Sequence, residues 1–259
     1  MITFAAITPH PPIIIPGIGQ QEDLKKAEKT VESMKKLGKN LEKINPDTIL
    51  IISPHAPLRP DCFMVNSASK LKGSLANFGL KDSFVFENNL KIIEAMEKRG
   101  KIDKISLCFG EEFLDHGALV PLHYLTKKIK PRLVHLAFSL LNPATHLEYG
   151  KMIGRICAES SEKIAVIASG DLSHRLSRNA PAGYSPRGKI FDNLLKELLS
   201  SKDTSGILNL DKELVEEAGE CGLRSIMILL GILEKQNYKF KLLSYEAPFG
   251  VGYMVARLI

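Results

Sequence analysis

Continuously apolar, β-rich runs recur along this chain with helical patterns between them, and this alternation constrains the fold more than any other feature. The clearest runs are Ile2–Thr8, Thr48–Ser53, Ile105–Phe109, Leu133–Phe138 and Ile164–Ser169, with Phe240–Tyr245 and Val251–Leu258 near the end. A strand with one wet face alternates apolar and polar residues, whereas a strand covered on both faces is apolar throughout. Between the runs, Leu24, Ala27, Val31, Met34, Leu37, Leu41 and Ile44 recur at steps of three or four and form the buried stripe of a helix. Asn142-Pro143 opens a second helix, because Asn caps first-turn amides and Pro suits the first helical position. A third helical pattern, strongly apolar, runs from about Cys221 to Lys235. The alternation predicts an α/β fold, a three-layer α/β/α sandwich around a mostly parallel sheet. Pro248-Phe249-Gly250 reads as a hairpin turn between the last two strands, so the sheet is expected to be mixed. Arg175–Arg187, rich in Ser, Pro, Gly and Ala, reads as a long loop, either a lid or a plain surface loop.

Composition removes several classes of function. The chain has 259 residues, 44% hydrophobic and 25% charged, as a globular protein does. No apolar run approaches the ~20 residues that span a bilayer. Met1 is followed by no basic region and no small-residue cleavage site, so the expected location is cytoplasmic, with no membrane partner. The net charge of +6 could suggest nucleic acid, but the densest stretch, Lys25 to Lys43, interleaves Lys with Glu as a solvated helix face does. Cys62, Cys108, Cys157 and Cys221 are far apart and form no C-x-x-C. Neither a disulfide framework nor a Cys-rich zinc site is expected, and a reducing compartment fits.

The chemistry-bearing signal is a short echo. Thr8-Pro9-His10-Pro11-Pro12 and Ser53-Pro54-His55-Ala56-Pro57 each place hydroxyl, Pro, His, any residue and Pro directly after an apolar strand. Ligands of open α/β sheets bind beyond the carboxyl ends of the strands. Proline stiffens its own φ and restricts its predecessor, so each imidazole is held on a rigid turn, as a metal ligand must be. His174 follows the run Ile164–Ser169 through Gly170-Asp171 and falls in the same crevice. His116, in Asp115-His116-Gly117, has an Asp to orient it and a Gly that permits close approach. His123, inside a helix, His135, alternating in a strand, and His146, in a helix's first turn, read as structural. A carboxylate would complete a metal site. Glu220 stands at the start of the apolar helix, with Cys221 beside it as a thiolate candidate and Glu246 as a third choice. Two His and one carboxylate suit non-heme Fe(II) oxygenases, and zinc hydrolases use the same set. No P-loop, G-x-G-x-x-G after the first strand, G-x-S-x-G or H-E-x-x-H is present.

The early P-H, the S-P-H-A-P, the D-H-G-x-x-x-P-L, the S-G-D-L-S-H and the ending Glu246-Ala-Pro-Phe-Gly-Val-Gly-Tyr253 together resemble the class III extradiol dioxygenase catalytic subunits, the LigB-like proteins. With Glu220-Cys221-Gly222, they look most like the branch allied to Memo proteins, the extradiol-like component of the AmmeMemoRadiSam system. The resemblance implies one domain over residues 1–259, without the tandem partner domain of some relatives. It implies iron held by His10, His55 and Glu220, with Cys221 standing where Memo-type proteins have Cys. It makes His174 the acid/base residue and His116 a histidine that meets oxygen or substrate. The expected activity is Fe(II)-dependent opening of a catechol-like ring with O2, with Zn or Mn as alternative metals. The expected partners are a small aromatic substrate and O2, a second copy of the chain, and components of the AmmeMemoRadiSam system. Two other readings stay open: a Memo-like metal-binding redox or interaction protein without ring cleavage, and a divalent-metal hydrolase.

Overall fold

The computed structural model describes residues 1–259. Its elements run β1 (Ile2–Thr8), α1 (Gln21–Lys26), α2 (Glu28–Ile44), β2 (Thr48–Ser53), β3 (Phe63–Asn66), β4 (Lys70–Ser74) and β5 (Ser83–Glu87). They continue with α3 (Leu90–Asp103), β6 (Leu107–Gly110), α4 (His116–Leu125), β7 (Arg132–Ala137), α5 (Pro143–Glu159) and β8 (Ile164–Ser169). The last part holds α6 (Pro186–Ser201), α7 (Thr204–Leu208), α8 (Lys212–Ala218), α9 (Leu223–Ile232), β9 (Lys241–Glu246) and β10 (Tyr253–Arg257). Eight strands form one sheet in the order β6-β3-β7-β2-β8-β1-β10-β9. The central four, β7, β2, β8 and β1, are parallel, while β3 against β7, β1 against β10 and β10 against β9 are antiparallel.

The apolar strands are covered on both faces because they alternate between two cores. Ile2, Ala5, Ile7, Leu50, Ile52, Val166 and Ala168 face the core built with α3, α5, α6 and α9. Phe4, Ala6, Ile49, Ile51, Ala165 and Ile167 face the other core, built with α2 and α4. The fold is therefore the three-layer α/β/α sandwich that the alternation predicts, around a mixed, mostly parallel sheet. Register then sets the site: Thr8 lies opposite Ser169, Ile52 opposite Ala168 and Ser53 opposite Ala137. The central strands end level, so whatever follows each one reaches the same edge.

Several expectations are adjusted. The first helix breaks at Ala27, whose φ of −102° and ψ of 26° leave helical geometry, so Leu24 belongs to a separate short helix. The strand expected at Ile105 begins at Leu107, after Lys104 ends α3 in the left-handed region. The strands β3, β4 and β5 were not anticipated: β3 has four residues, and β4 and β5 form an outlying hairpin with alternate residues exposed. Arg175–Arg187 is irregular until α6 begins at Pro186. It is tied down rather than free, with the Leu176 amide donating to the Gly250 carbonyl at 3.0 Å. The cysteine expectation is corrected: Cys62 and Cys108 form a disulfide with Cα atoms 5.8 Å apart. They are 46 residues apart in sequence, but β3 and β6 are neighbours in the sheet, a pairing that sequence spacing alone does not reveal. No helix is long and apolar enough to cross a membrane.

Candidate metal centre

His10 sits two residues beyond β1 and is 2% exposed. Its Nδ1 lies 3.1 Å from the hydroxyl of Ser169, the last residue of β8. That hydroxyl donates its own proton to the Gly117 carbonyl at 2.5 Å. Ser169 can therefore only accept from His10, so Nδ1 carries the ring proton and Nε2 keeps its lone pair. His10 Nε2 points at His55 Nε2, 3.0 Å away. His116, the first residue of α4, stacks on His55 with ring centroids 4.3 Å apart. Ring nitrogens of His10, His55 and His116 all lie within 4.8 Å of one another. His10 is buried, His116 intermediate and His55 exposed, so the cluster is rooted in the fold and open to solvent on one side.

The support beneath this trio is polar and connected. Asp115 caps α4 by accepting from the Ala118 amide at 3.2 Å. The same oxygen accepts the Ser53 hydroxyl at 2.5 Å, and the other lies 3.1 Å from His135 Nε2. Burial pushes the Asp115 carboxyl up, but the hydrogen bonds and charge of His135 and the Ser53 hydroxyl outweigh it and hold the group well below the usual carboxylate range. Gly117 completes the packing: a Cβ there would stand 2.5 Å from Ser53 Oγ and 2.8 Å from Asp115 Oδ1.

Burial is the main cause that lowers the pKa of each of the three histidines. Repulsion from His55 and His116 adds to it at His10, repulsion from His116 adds to it at His55, and Asp115 opposes it throughout. Imidazoles held neutral, with ring nitrogens grouped in one space, are the donor form that a divalent cation requires. The donor set therefore fits a metal ion.

The structure separates the remaining candidates. His174 lies near the trio but outside it. Its amide donates to the Ala218 carbonyl at 3.1 Å, and its buried ring Nδ1 has no hydrogen-bond partner. Burial lowers its pKa. Glu220 does not join the cluster: its carboxylate accepts the Leu223 amide at 2.6 Å, capping α9. Burial pushes that carboxyl up to about 7. Glu246 is also committed elsewhere, accepting the amide and hydroxyl of Thr30 at 2.7 and 2.6 Å. Cys221 is the neighbour that comes close, with Sγ 3.7 Å from His10 Nε2. Its loop reaches β8 because Gly170 and Gly222 touch backbone to backbone, with no room for a Cβ on Gly170. Burial pushes the Cys221 thiol well up. Among the histidines read as structural, His146 is anchored to the Asn142 and Ser139 carbonyls at 2.9 and 3.1 Å. His135 instead serves the site through Asp115. Sequence reasoning missed the parts played by Ser53, Ser169 and His135. The visible signal was a hydroxyl residue ending each of two neighbouring strands.

Over residues 4–256 the sequence matches the family described as the catalytic LigB subunit of aromatic ring-opening dioxygenase. The chain belongs to this family. Protein CA_C1420 of Clostridium acetobutylicum is 34% identical across 97% of this chain. The match covers 56% of that relative, so the chain spans about half its length. A 3,4-dihydroxyphenylacetate 2,3-dioxygenase of Escherichia coli is 24% identical, with 85% of each chain covered. The crystal structure of an uncharacterized protein, JW3007 of Escherichia coli K12, shares the fold with a TM-score of 0.72. It is 19% identical, with 99% of each chain covered. Members of the LigB family that act as dioxygenases are metal-dependent, and the His10, His55 and His116 cluster is a candidate metal site of this chain.

Proposed function

We propose that the chain is an Fe(II)-dependent extradiol dioxygenase that opens a catechol-like ring with O2. The observation that carries this reading is the convergence of three neutral imidazoles at one edge of the sheet, with the tautomer of His10 fixed by Ser169. His10, His55 and His116 would hold the metal, with His116 in the place that Glu220 takes in the two-His, one-carboxylate expectation. Ferrous iron held there would supply Lewis acidity to a catechol that chelates it through two oxygens and the redox chemistry to activate O2, and three protein ligands would leave room for both. The residues of the chain do the rest. Ser169 and the Asp115–Ser53–His135 group orient the imidazoles. The ring of Phe78, 5.4 Å from that of His116, offers an apolar wall to an aromatic substrate. His174, near the trio and with burial lowering its pKa, would take the substrate's hydroxyl proton.

Anaerobic loading with Fe(II), Mn(II) or Zn(II), followed by oxygen uptake on a catechol panel, tests the reading. The Fe(II) form is expected to consume one O2 per ring opened. His10→Ala and His55→Ala should lose most bound metal while keeping the fold. His174→Ala should keep metal and lose turnover by roughly 10²–10⁴-fold, the usual contribution of a positioned acid/base. A fully loaded protein that consumes no oxygen with any catechol would overturn it.

The 3.7 Å approach of Cys221 Sγ to His10 Nε2 favours a second reading. In it, Cys221 takes the third ligand position and the chain is a Memo-like redox or interaction protein working with AmmeMemoRadiSam partners. Oxygen uptake separates the two readings directly.

A further inference from the structure

A second cavity lies away from the histidines, between α7, α8, the start of α9 and the turn that joins β7 to α5. It encloses about 480 Å³, within the range of small-molecule sites. Leu140, Leu141, Ile207, Leu210, Val215 and Met227 form its apolar walls, and none of the metal-site residues lines it.

Its notable polar group is Arg224. Arg224 lines the cavity and is partly buried; its guanidinium makes no hydrogen bond or ion pair with the chain, and its central carbon stands 5.7 Å from the centre of the Phe138 ring. Glu220, one turn earlier, is committed to the Leu223 amide. Lys212, at the rim, pairs only loosely with Glu216 at 3.7 Å, both well exposed. The charge of Arg224 reaches Glu220 but forms no ion pair with it, so the donors of the guanidinium stand unpaired, and its planar fork matches a carboxylate in two parallel hydrogen bonds. The apolar walls exclude a bare anion as the preferred occupant, because they gain only from covering hydrocarbon.

We propose that this cavity binds a small amphipathic carboxylate, its acid group on Arg224 and its apolar body between α7, α8 and the β7–α5 turn. The class covers medium-chain alkanoic acids and bicyclic aromatic acids, which share this chemistry and differ only in the shape of the body.

Isothermal titration of the metal-free full chain with octanoate, 2-naphthoate and 1-octanol tests the proposal. At least one acid should bind one site per chain and exceed the alcohol by about tenfold or more, the worth of a hydrogen bond to a charged group. Whichever acid binds identifies the body. Arg224→Gln should erase that advantage and leave the weak binding of the alcohol unchanged. Val215→Trp, on a partly exposed wall, should block acid and alcohol alike with an unchanged circular dichroism spectrum. His10→Ala should bind the acids as the unaltered chain does, which separates this cavity from the metal centre. Equal binding of acid and alcohol, acid affinity untouched by Arg224→Gln, or no saturable binding of either acid would overturn the proposal.

Discussion

Ser169 decides which nitrogen of His10 can face a metal. Its hydroxyl proton is spent on the Gly117 carbonyl, so the ring is locked with Nε2 free to ligate. Ser169→Ala removes that lock without touching a ligand, and metal affinity should fall by about 10- to 100-fold, as when other orienting partners are lost. Competition with a chelator measures it, and an unchanged affinity would remove the tautomer from the explanation. Substitutions at the start of α9 separate the remaining ligand candidates. Glu220→Gln should leave metal affinity within about threefold, because its oxygen serves the Leu223 amide, a contact the amide side chain keeps. If Cys221→Ser weakens metal binding more than His116→Ala does, the second reading gains the third ligand. The sequence made His10 and His55 legible because strand-Pro-His is a backbone statement. Glu220 was less legible, because a carboxylate at a helix start serves equally as cap or ligand, and here its oxygen accepts the Leu223 amide.

At the scale of elements, the strands that shape the site were legible where both faces are buried, since continuous apolarity leaves one interpretation. The strands β4 and β5 were not, because Lys70, Lys72 and Ser74 alternate with buried residues in a hairpin that lies off the sheet. The loop behind His174 is held by a buried carboxylate that sequence periodicity also could not reveal. Asp192 of α6 accepts the Ser173 amide at 2.8 Å and the Tyr245 hydroxyl of β9 at 2.6 Å, joining three segments. Burial raises its pKa from 3.8 to about 6, against the pull of Tyr245 and Ser173. The folded chain therefore holds this proton more tightly than the unfolded chain. The stabilisation is full below the unfolded value of 3.8 and is lost as pH rises through about 6. Asp192→Asn keeps the acceptor for Ser173, offers its amide as a donor to the Tyr245 oxygen in place of the acceptor, and does not titrate. Urea unfolding of metal-free protein across this window should show the stability difference between the two proteins changing by about 1–3 kcal/mol. Parallel curves would mean that Asp192 does not titrate in this range.

Across the whole molecule, one sheet draws strands from Ile2 to Arg257. The relative that is nearly twice as long leaves further parts as a matter for the full protein. The feature with the widest reach in the sheet is the pairing of Cys62 with Cys108, on the neighbouring strands β3 and β6. Disulfides persist in oxidising surroundings and are rare in a reducing cytoplasm. The bond ties β3 to β6 at the far edge of the sheet and closes a loop across 46 residues. On the chain-entropy account, a loop of that length stabilises the fold by about 4 kcal/mol, and observed values fall mostly between about 2 and 4. Purified without reductant and then denatured, the protein should show two reactive thiols, Cys157 and Cys221, and four after reduction. Cys62→Ser with Cys108→Ser should lower the urea midpoint while leaving metal affinity unchanged, since neither residue lies in the histidine cluster. Four reactive thiols before reduction would sink the bond.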